Sequence, residues 1–239
     1  MPNLRAVFVD AGNTLFTERR SRAALYATVA RAHGGHTDEE QAADIMGRAF
    51  AEIPYSAEGN YRYSTNWFET FNQHVLLKLG VSEGRWQEAS TKLLARFESP
   101  KTYRVFKEVP AVLEELSNRG ITVGVVSNWS ERLPVLLKAL GLTEHINFIV
   151  TSAEMRSEKP AGEIFSRALF RAGVAADEAL HVGDHHDRDV RGAIGAGLRA
   201  ALVDRSSTEP RITKEGFPVL TDLRGILSLV EQPQDASLS

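Results

Sequence analysis

Apolar positions along this chain fall into two textures. Residues 4–10 read Leu-Arg-Ala-Val-Phe-Val-Asp, a short apolar run ending in a carboxylate. Similar runs recur at 121–127, 146–150, 179–183 and 199–203. They are nearly continuous rather than alternating, which predicts strands buried on both faces. Helical spacing fills the gaps between the later runs. Residues 110–119 start at Pro110 and stop before Gly120, residues 131–140 stop before Gly141, and residues 161–172 lie between Pro160 and Gly173. Proline at the start and glycine past the end delimit helices. Strands alternating with helices predict a Rossmann-like parallel sheet flanked by helices, joined by right-handed crossovers.

Residues 16–104 carry the second texture, with no strand pattern. Residues 20–33 form one expected helix. Thr37 and Glu40 have capping-box spacing, followed by Ala42, Ile45, Met46, Ala49 and Phe50 at helical intervals. Trp67, Phe68, Phe71, Val75 and Leu79 mark a third helix, and Trp86, Ala89, Leu93, Leu94 and Phe97 a fourth. The expectation is an α/β core of residues 1–15 and 105–239, with an inserted four-helix cap at 16–104. Residues 232–239 read as a polar tail.

Composition narrows the chemistry. The 239 residues are 43% hydrophobic and 25% charged, with net charge -3 and no cysteine. Thiolate metal sites and cysteine nucleophiles are therefore excluded. No basic stripe predicts a nucleic-acid partner, and no apolar run predicts a membrane span or leader. The expected protein is cytoplasmic and acts on a small molecule. Its oligomeric state is not encoded in any pattern we recognise.

In open parallel sheets, sites form beyond the carboxyl ends of strands. Asp10-Ala11-Gly12-Asn13-Thr14 follows the first run, Ser127-Asn128 ends the second, and Lys159-Pro160 follows the third. Gly183-Asp184 ends the fourth, with Asp187 and Asp189 close behind. A carboxylate can attack phosphorus to give an aspartyl-phosphate. Two carboxylates from separate strands suit Mg²⁺. A hydroxyl and an ammonium can hold the phosphoryl oxygens. Metal sharing requires the first and fourth strands to be neighbours.

This ordered set resembles the haloacid dehalogenase-like hydrolase superfamily over essentially the whole chain. The resemblance implies Asp10 as nucleophile, Thr14, Ser127 and Lys159 as phosphate contacts, and Asn128 beside them. It also implies Asp10, the Gly12 carbonyl and Asp184 as Mg²⁺ ligands, with Asp189 in support. The helical insertion after the first strand resembles the C1-capped subclass. In that subclass the loop between the second and third cap helices faces the site, which implies substrate contacts from Tyr61, Arg62, Tyr63 and Trp67.

One position departs from the pattern. Phosphatases of this superfamily carry an acid two residues past the nucleophile, and here Gly12 stands there. General acid–base assistance is worth about 10²–10⁴-fold. L-2-haloacid dehalogenases lack the acid as well, but they also lack the Gly-Asp present here at Gly183-Asp184. Phosphonoacetaldehyde hydrolases rely on an early cap lysine, whereas this chain has none between Leu15 and Leu77. The rhythmically-expressed-gene-2-like subfamily is the nearest resemblance, through an irregular first motif and Asn60-Tyr61 with Trp67. The expected activity is a Mg²⁺-dependent phosphatase acting on a small phosphorylated metabolite. The alternatives are a dehalogenase-type hydrolase, or a catalytically weak phosphate-binding protein. His185 and His186 could supply a proton near neutrality, against the plainer reading of a solvated loop.

Overall fold

The computed structural model describes residues 3–57 and 60–230, so the expected polar tail at 232–239 lies outside the described residues. β1 (Ala6–Val9) leads into β2 (Phe16–Glu18), after which come α1 (Arg22–Ala32) and α2 (Glu39–Glu52). A short hairpin of β3 (Ser56–Ala57) and β4 (Asn60–Tyr61) precedes α3 (Thr65–Lys78), α4 (Trp86–Phe97) and β5 (Tyr103–Val105). The chain then runs through α5 (Val109–Asn118), β6 (Thr122–Ser127), α6 (Leu133–Ala139), β7 (Phe148–Thr151), α7 (Ser152–Met155) and α8 (Gly162–Ala172). It finishes with β8 (Ala179–Gly183), α9 (Gly192–Gly195), β9 (Arg199–Val203), β10 (Arg211–Ile212), β11 (Pro218–Leu220) and α10 (Gly225–Leu229).

Seven strands form one sheet in the order β10-β11-β9-β8-β1-β6-β7, and only the β10–β11 pair is antiparallel. The expected α/β architecture is therefore present. Successive residues of β1 enter opposite layers, as period-two alternation demands. Val7 and Val9 join Val123, Val125, Leu180 and Val182 on the face that packs against α5 and α6. Ala6 and Phe8 join Val126, Ile164 and Phe165 on the α8 face. Gly124 stands within β6 where the Phe148 ring lies over the strand; an added Cβ would meet that ring at 2.4 Å.

The four cap helices enclose a separate apolar cluster built on Tyr26, Trp67, Phe71, Val75, Leu76 and Leu93. Residues 16–104 are not free of strands, contrary to the sequence expectation. β2 pairs antiparallel with β5, tying both ends of the insertion together, and β3 pairs with β4. Strands of two or three residues are too short to show a period. β10 and β11 were missed for the same reason. The α2 cap also differs from expectation. Asp38, not Thr37, accepts the capping bond, from the Gln41 N–H at 2.8 Å, while the Thr37 hydroxyl contacts the Gln41 side chain. Among the described residues no helix is long and apolar enough to cross a membrane.

Candidate active site

β1 and β8 are parallel neighbours, paired from Ala6↔Ala179 to Val9↔Val182, so their carboxyl ends bring Asp10 and Asp184 together. The Asp10 N–H donates to the Val182 carbonyl at 2.9 Å, extending this pairing to the nucleophile candidate itself. Beyond β8 the chain turns through one wide helical turn at His186–Arg191, which returns Asp189 beneath Asp184. Ligand oxygens of Asp10, Asp184 and Asp189 lie within 4.8 Å of one another. Gly183 permits this return, since an added Cβ would strike the Asp189 carboxyl carbon at 2.2 Å.

Lys159 stands at the centre of the cluster, 3% exposed. Its Nζ donates to Asp10 Oδ1 at 2.6 Å, to the Val126 carbonyl at 2.9 Å and to Asp189 Oδ1. Burial disfavours the ammonium, but Asp10 and Asp189 outweigh it and hold Lys159 above the ordinary lysine value. Burial likewise opposes the Asp189 carboxylate, yet Lys159 and His181 keep it well below the usual range. His181 Nε2 meets Asp189 Oδ1 at 2.8 Å, and burial pushes this imidazole below its normal pKa. The His185 N–H donates to the other oxygen of Asp189 at 3.0 Å. Both Asp189 oxygens are thus occupied by the protein. Asp184 is exposed at the rim. Desolvation in the cleft, then the like charges of Asp10 and Asp189, push its carboxyl above the ordinary value.

Asn128 fixes the Lys159 backbone rather than pointing its amide at a ligand. Its Oδ1 accepts from the Lys159 N–H at 2.7 Å and its Nδ2 donates to the Lys159 carbonyl at 3.0 Å. Ser127, at the end of β6, lines the cleft beside Asp10 and Lys159, and so does Gly12. Thr14 does not line it: the residue is fully buried and its hydroxyl finds no partner. The expected direct phosphate contact from Thr14 is therefore corrected to a place beneath the cleft, where Arg205 Nη2 donates to its carbonyl at 2.8 Å.

The cap loop corrects the sequence reading further. Tyr63 lines the cleft, with a left-handed φ of 72°. Trp67 does not; it is fully buried in the bundle, with Nε1 donating to the Pro54 carbonyl at 2.9 Å. Its place on the helical period of α3 already pointed to the bundle. Arg62 reaches across to Glu158 of the core at 3.3 Å, and Arg156 covers the Tyr61 ring at 5.2 Å. These two residues clamp cap to core instead of lining the cleft. Two more ties join the halves, the Thr65 N–H to Glu131 at 3.0 Å and Arg132 to Glu98 at 2.8 Å.

Glu18, Arg22, Tyr103 and Trp129 also line the cleft and escape the sequence reading, as do Phe16, Thr17 and Arg188. Arg22 pairs with Glu18 at 2.6 Å and lies 5.2 Å above the Trp129 ring. Trp129 had one readable signal, its place two residues past Ser127 at a strand end. An ideal Cβ at Gly12 would lie 3.2 Å from the Trp129 ring, so a side chain there would press on the indole and displace it by a few tenths of an ångström. The left-handed turn of this loop falls at Asn13, at φ 57°.

The haloacid dehalogenase-like hydrolase family matches residues 22–203. Haloacid dehalogenase-like hydrolase domain-containing protein 3 of Bos taurus is 32% identical over 224 residues, covering 90% of this chain and 88% of that one. A phosphoserine phosphatase of Thermus thermophilus is 34% identical over 153 residues, 60% of this chain and 61% of that one. Rhythmically expressed gene 2 protein of Drosophila melanogaster is 32% identical over 126 residues, 48% of each. Among solved structures, a HAD phosphatase from Thermococcus onnurineus superposes with a TM-score of 0.69 at 22% identity, covering 95% of this chain and 98% of that one. The chain belongs to the haloacid dehalogenase-like hydrolase family, on its rhythmically-expressed-gene-2-like branch.

Proposed function

We propose that this hydrolase is a phosphatase that acts on a small phosphate monoester through an aspartyl-phosphate at Asp10. The observation that carries this reading is the cluster of Asp10, Asp184 and Asp189 around a buried lysine. A phosphatase named for phosphoserine among the relatives supports it.

The donor set suits a hard cation, because it consists of carboxylate oxygens at strand ends. Asp189 spends both oxygens on the protein, so Asp10, Asp184 and the Gly12 carbonyl would hold Mg²⁺, with Asp189 bracing Lys159 behind them. Bound there, Mg²⁺ would offset repulsion between carboxylate and phosphate. The chain's own groups do the rest. An Asp10 oxygen bonds to phosphorus as the bond to the leaving oxygen breaks, and that oxygen keeps the electron pair. The Ser127 hydroxyl holds one phosphoryl oxygen, and Lys159 holds another by exchanging its bond to Asp10 for one to phosphate while keeping those to Val126 and Asp189. Water then attacks phosphorus, frees the Asp10 carboxylate and leaves inorganic phosphate.

The test is a phosphate-release assay over phosphorylated metabolites, with and without Mg²⁺ and with a chelator. Release that requires Mg²⁺ is expected. Chelator-insensitive halide release from 2-haloacids, with no phosphate release, would replace this reading with displacement at carbon.

A further inference from the structure

A second cavity, of about 300 Å³, lies between cap and core. Its roof is Met46, Phe50, Phe68, Phe71, Leu94 and Phe97, and its floor is Trp129 and Leu136. It shares a wall with the carboxylate cleft, since Arg22, Tyr63, Tyr103, Asn128 and Trp129 line both. The charged groups along it are already paired, Arg22 with Glu18 at 2.6 Å and Arg132 with Glu98 at 2.8 Å. Among the described residues no unpaired charge lines this chamber, whose other polar lining includes the uncharged Thr65, Asn72, Asn128 and Ser130; Arg188 lines only the adjoining cleft, on the phosphate side. A polyhydroxylated or zwitterionic body would lose its water bonds in this chamber and gain few partners. An apolar one gains burial, and the volume is at the low end for small-molecule sites.

At the junction of the two cavities, residue 12 presents no side chain and the Trp129 ring is its nearest neighbour, 3.2 Å from where a Cβ would stand. A leaving oxygen near residue 12 would meet an indole rather than an acid there. A leaving group that departs as a stable anion suits that wall.

We infer that the substrate is the phosphate monoester of an aromatic alcohol, with its phosphate in the carboxylate cleft and its aryl group in the aromatic chamber. This rests on the phosphatase reading above. In the reaction the phosphorus–oxygen bond breaks, the electron pair leaves on the aryl oxygen, and solvent water protonates the phenolate. Phe50, Phe68, Phe71 and Phe97 above and Trp129 below offer the offset and edge contacts that an aryl group prefers.

The experiment uses the full chain with Mg²⁺. Calorimetry compares methylphosphonate with phenylphosphonate, neither of which can be hydrolysed. Phenylphosphonate is expected to bind at least about tenfold tighter, from the apolar area it buries. Gly47 lines the chamber, and an added Cβ there meets nothing within 4 Å. In Gly47→Phe, and separately in Met46→Trp, the ratio of the two affinities is expected to fall toward one. Phenyl phosphate is expected to exceed phosphoserine in kcat/KM by about 10²-fold. Equal binding of the two phosphonates, or a ratio that survives both filling variants, would overturn the inference. Tight phenylphosphonate binding without phosphate release would instead refute the hydrolysis reading and leave the chamber assignment standing. If neither phosphonate binds, both fail together.

Discussion

The two cavities share five residues yet are built on opposite principles. The carboxylate cleft is assembled from strand ends, and Lys159 pairs with two of its three clustered carboxylates, Asp10 and Asp189. The chamber is assembled mainly from cap helices, and aromatic rings dominate its lining. A sheet fixes strand ends to within a register, so the charged groups come together whatever covers them. A helix bundle offers its concave face to whatever fits. The difference separates reaction from recognition: substitutions in the cleft should act on turnover, and substitutions in the chamber on substrate ranking.

Asp10→Asn should break the cleft most completely. An amide cannot act as nucleophile, and loss of a covalent nucleophile costs about 10⁴-fold or more. Turnover of phenyl phosphate by the purified variant is the measurement. Retained activity would end the covalent account.

Lys159→Met comes next, and its effect extends to stability. It strands Asp10 and Asp189 without their shared cation, and losing one partner of a buried pair costs about 3–5 kcal/mol. Chemical denaturation should show a loss of that order. A shift below about 1 kcal/mol would mean that water reaches the cluster and screens it.

Asn128→Ala removes two bonds to the Lys159 backbone. Misplacing a catalytic group by about 1 Å can cost about 10²-fold, so kcat should fall by 10- to 100-fold with little change in KM. A change confined to KM would make Asn128 a substrate contact instead.

A double substitution sharpens the boundary between the cavities. Gly12→Asp alone should gain nothing on an alkyl phosphate, because the Trp129 ring stands 3.2 Å from the new Cβ. Paired with Trp129→Ala it should gain about 10²-fold, the scale of general acid assistance. A gain from the single variant would show that the indole yields easily.

The smallest effect belongs to the clamp. Arg62→Ala loses a half-buried pair with Glu158 and a ring contact at 4.5 Å with Phe50. About 1 kcal/mol is expected, a melting shift of about 2–4 °C. The ranking of substrates should not change, and a changed ranking would return Arg62 to the cleft.

The same contrast governs what the sequence made legible. Asp10 and Asp184 directly follow buried strands, Ser127 ends one, and Lys159 and Asp189 come in the segments after β7 and β8, so strand order and register bring all five to one edge. Asn128 was found, but its bonds to the Lys159 backbone depend on a loop that no period describes. The cap was legible as helices, because Trp67, Phe71 and Val75 keep helical spacing. Its surface was not, because Tyr61 ends the two-residue β4 and Arg62 and Tyr63 form the turn into α3, where one residue of shift decides between clamp and cleft. Trp67 was misread for following that loop, although its spacing places it in the bundle. Glu18 and Tyr103 entered the site on strands of three residues each, too short to announce themselves.

The most direct test of the central claim is chemical trapping of Asp10. The wild-type chain is mixed with phenyl phosphate and Mg²⁺, quenched within one turnover and reduced with borohydride, which converts an acyl phosphate of aspartate to homoserine. Peptide mass spectrometry should find homoserine at residue 10, and not at residues 184 or 189. Continued phosphate release with residue 10 recovered only as aspartate would contradict the account.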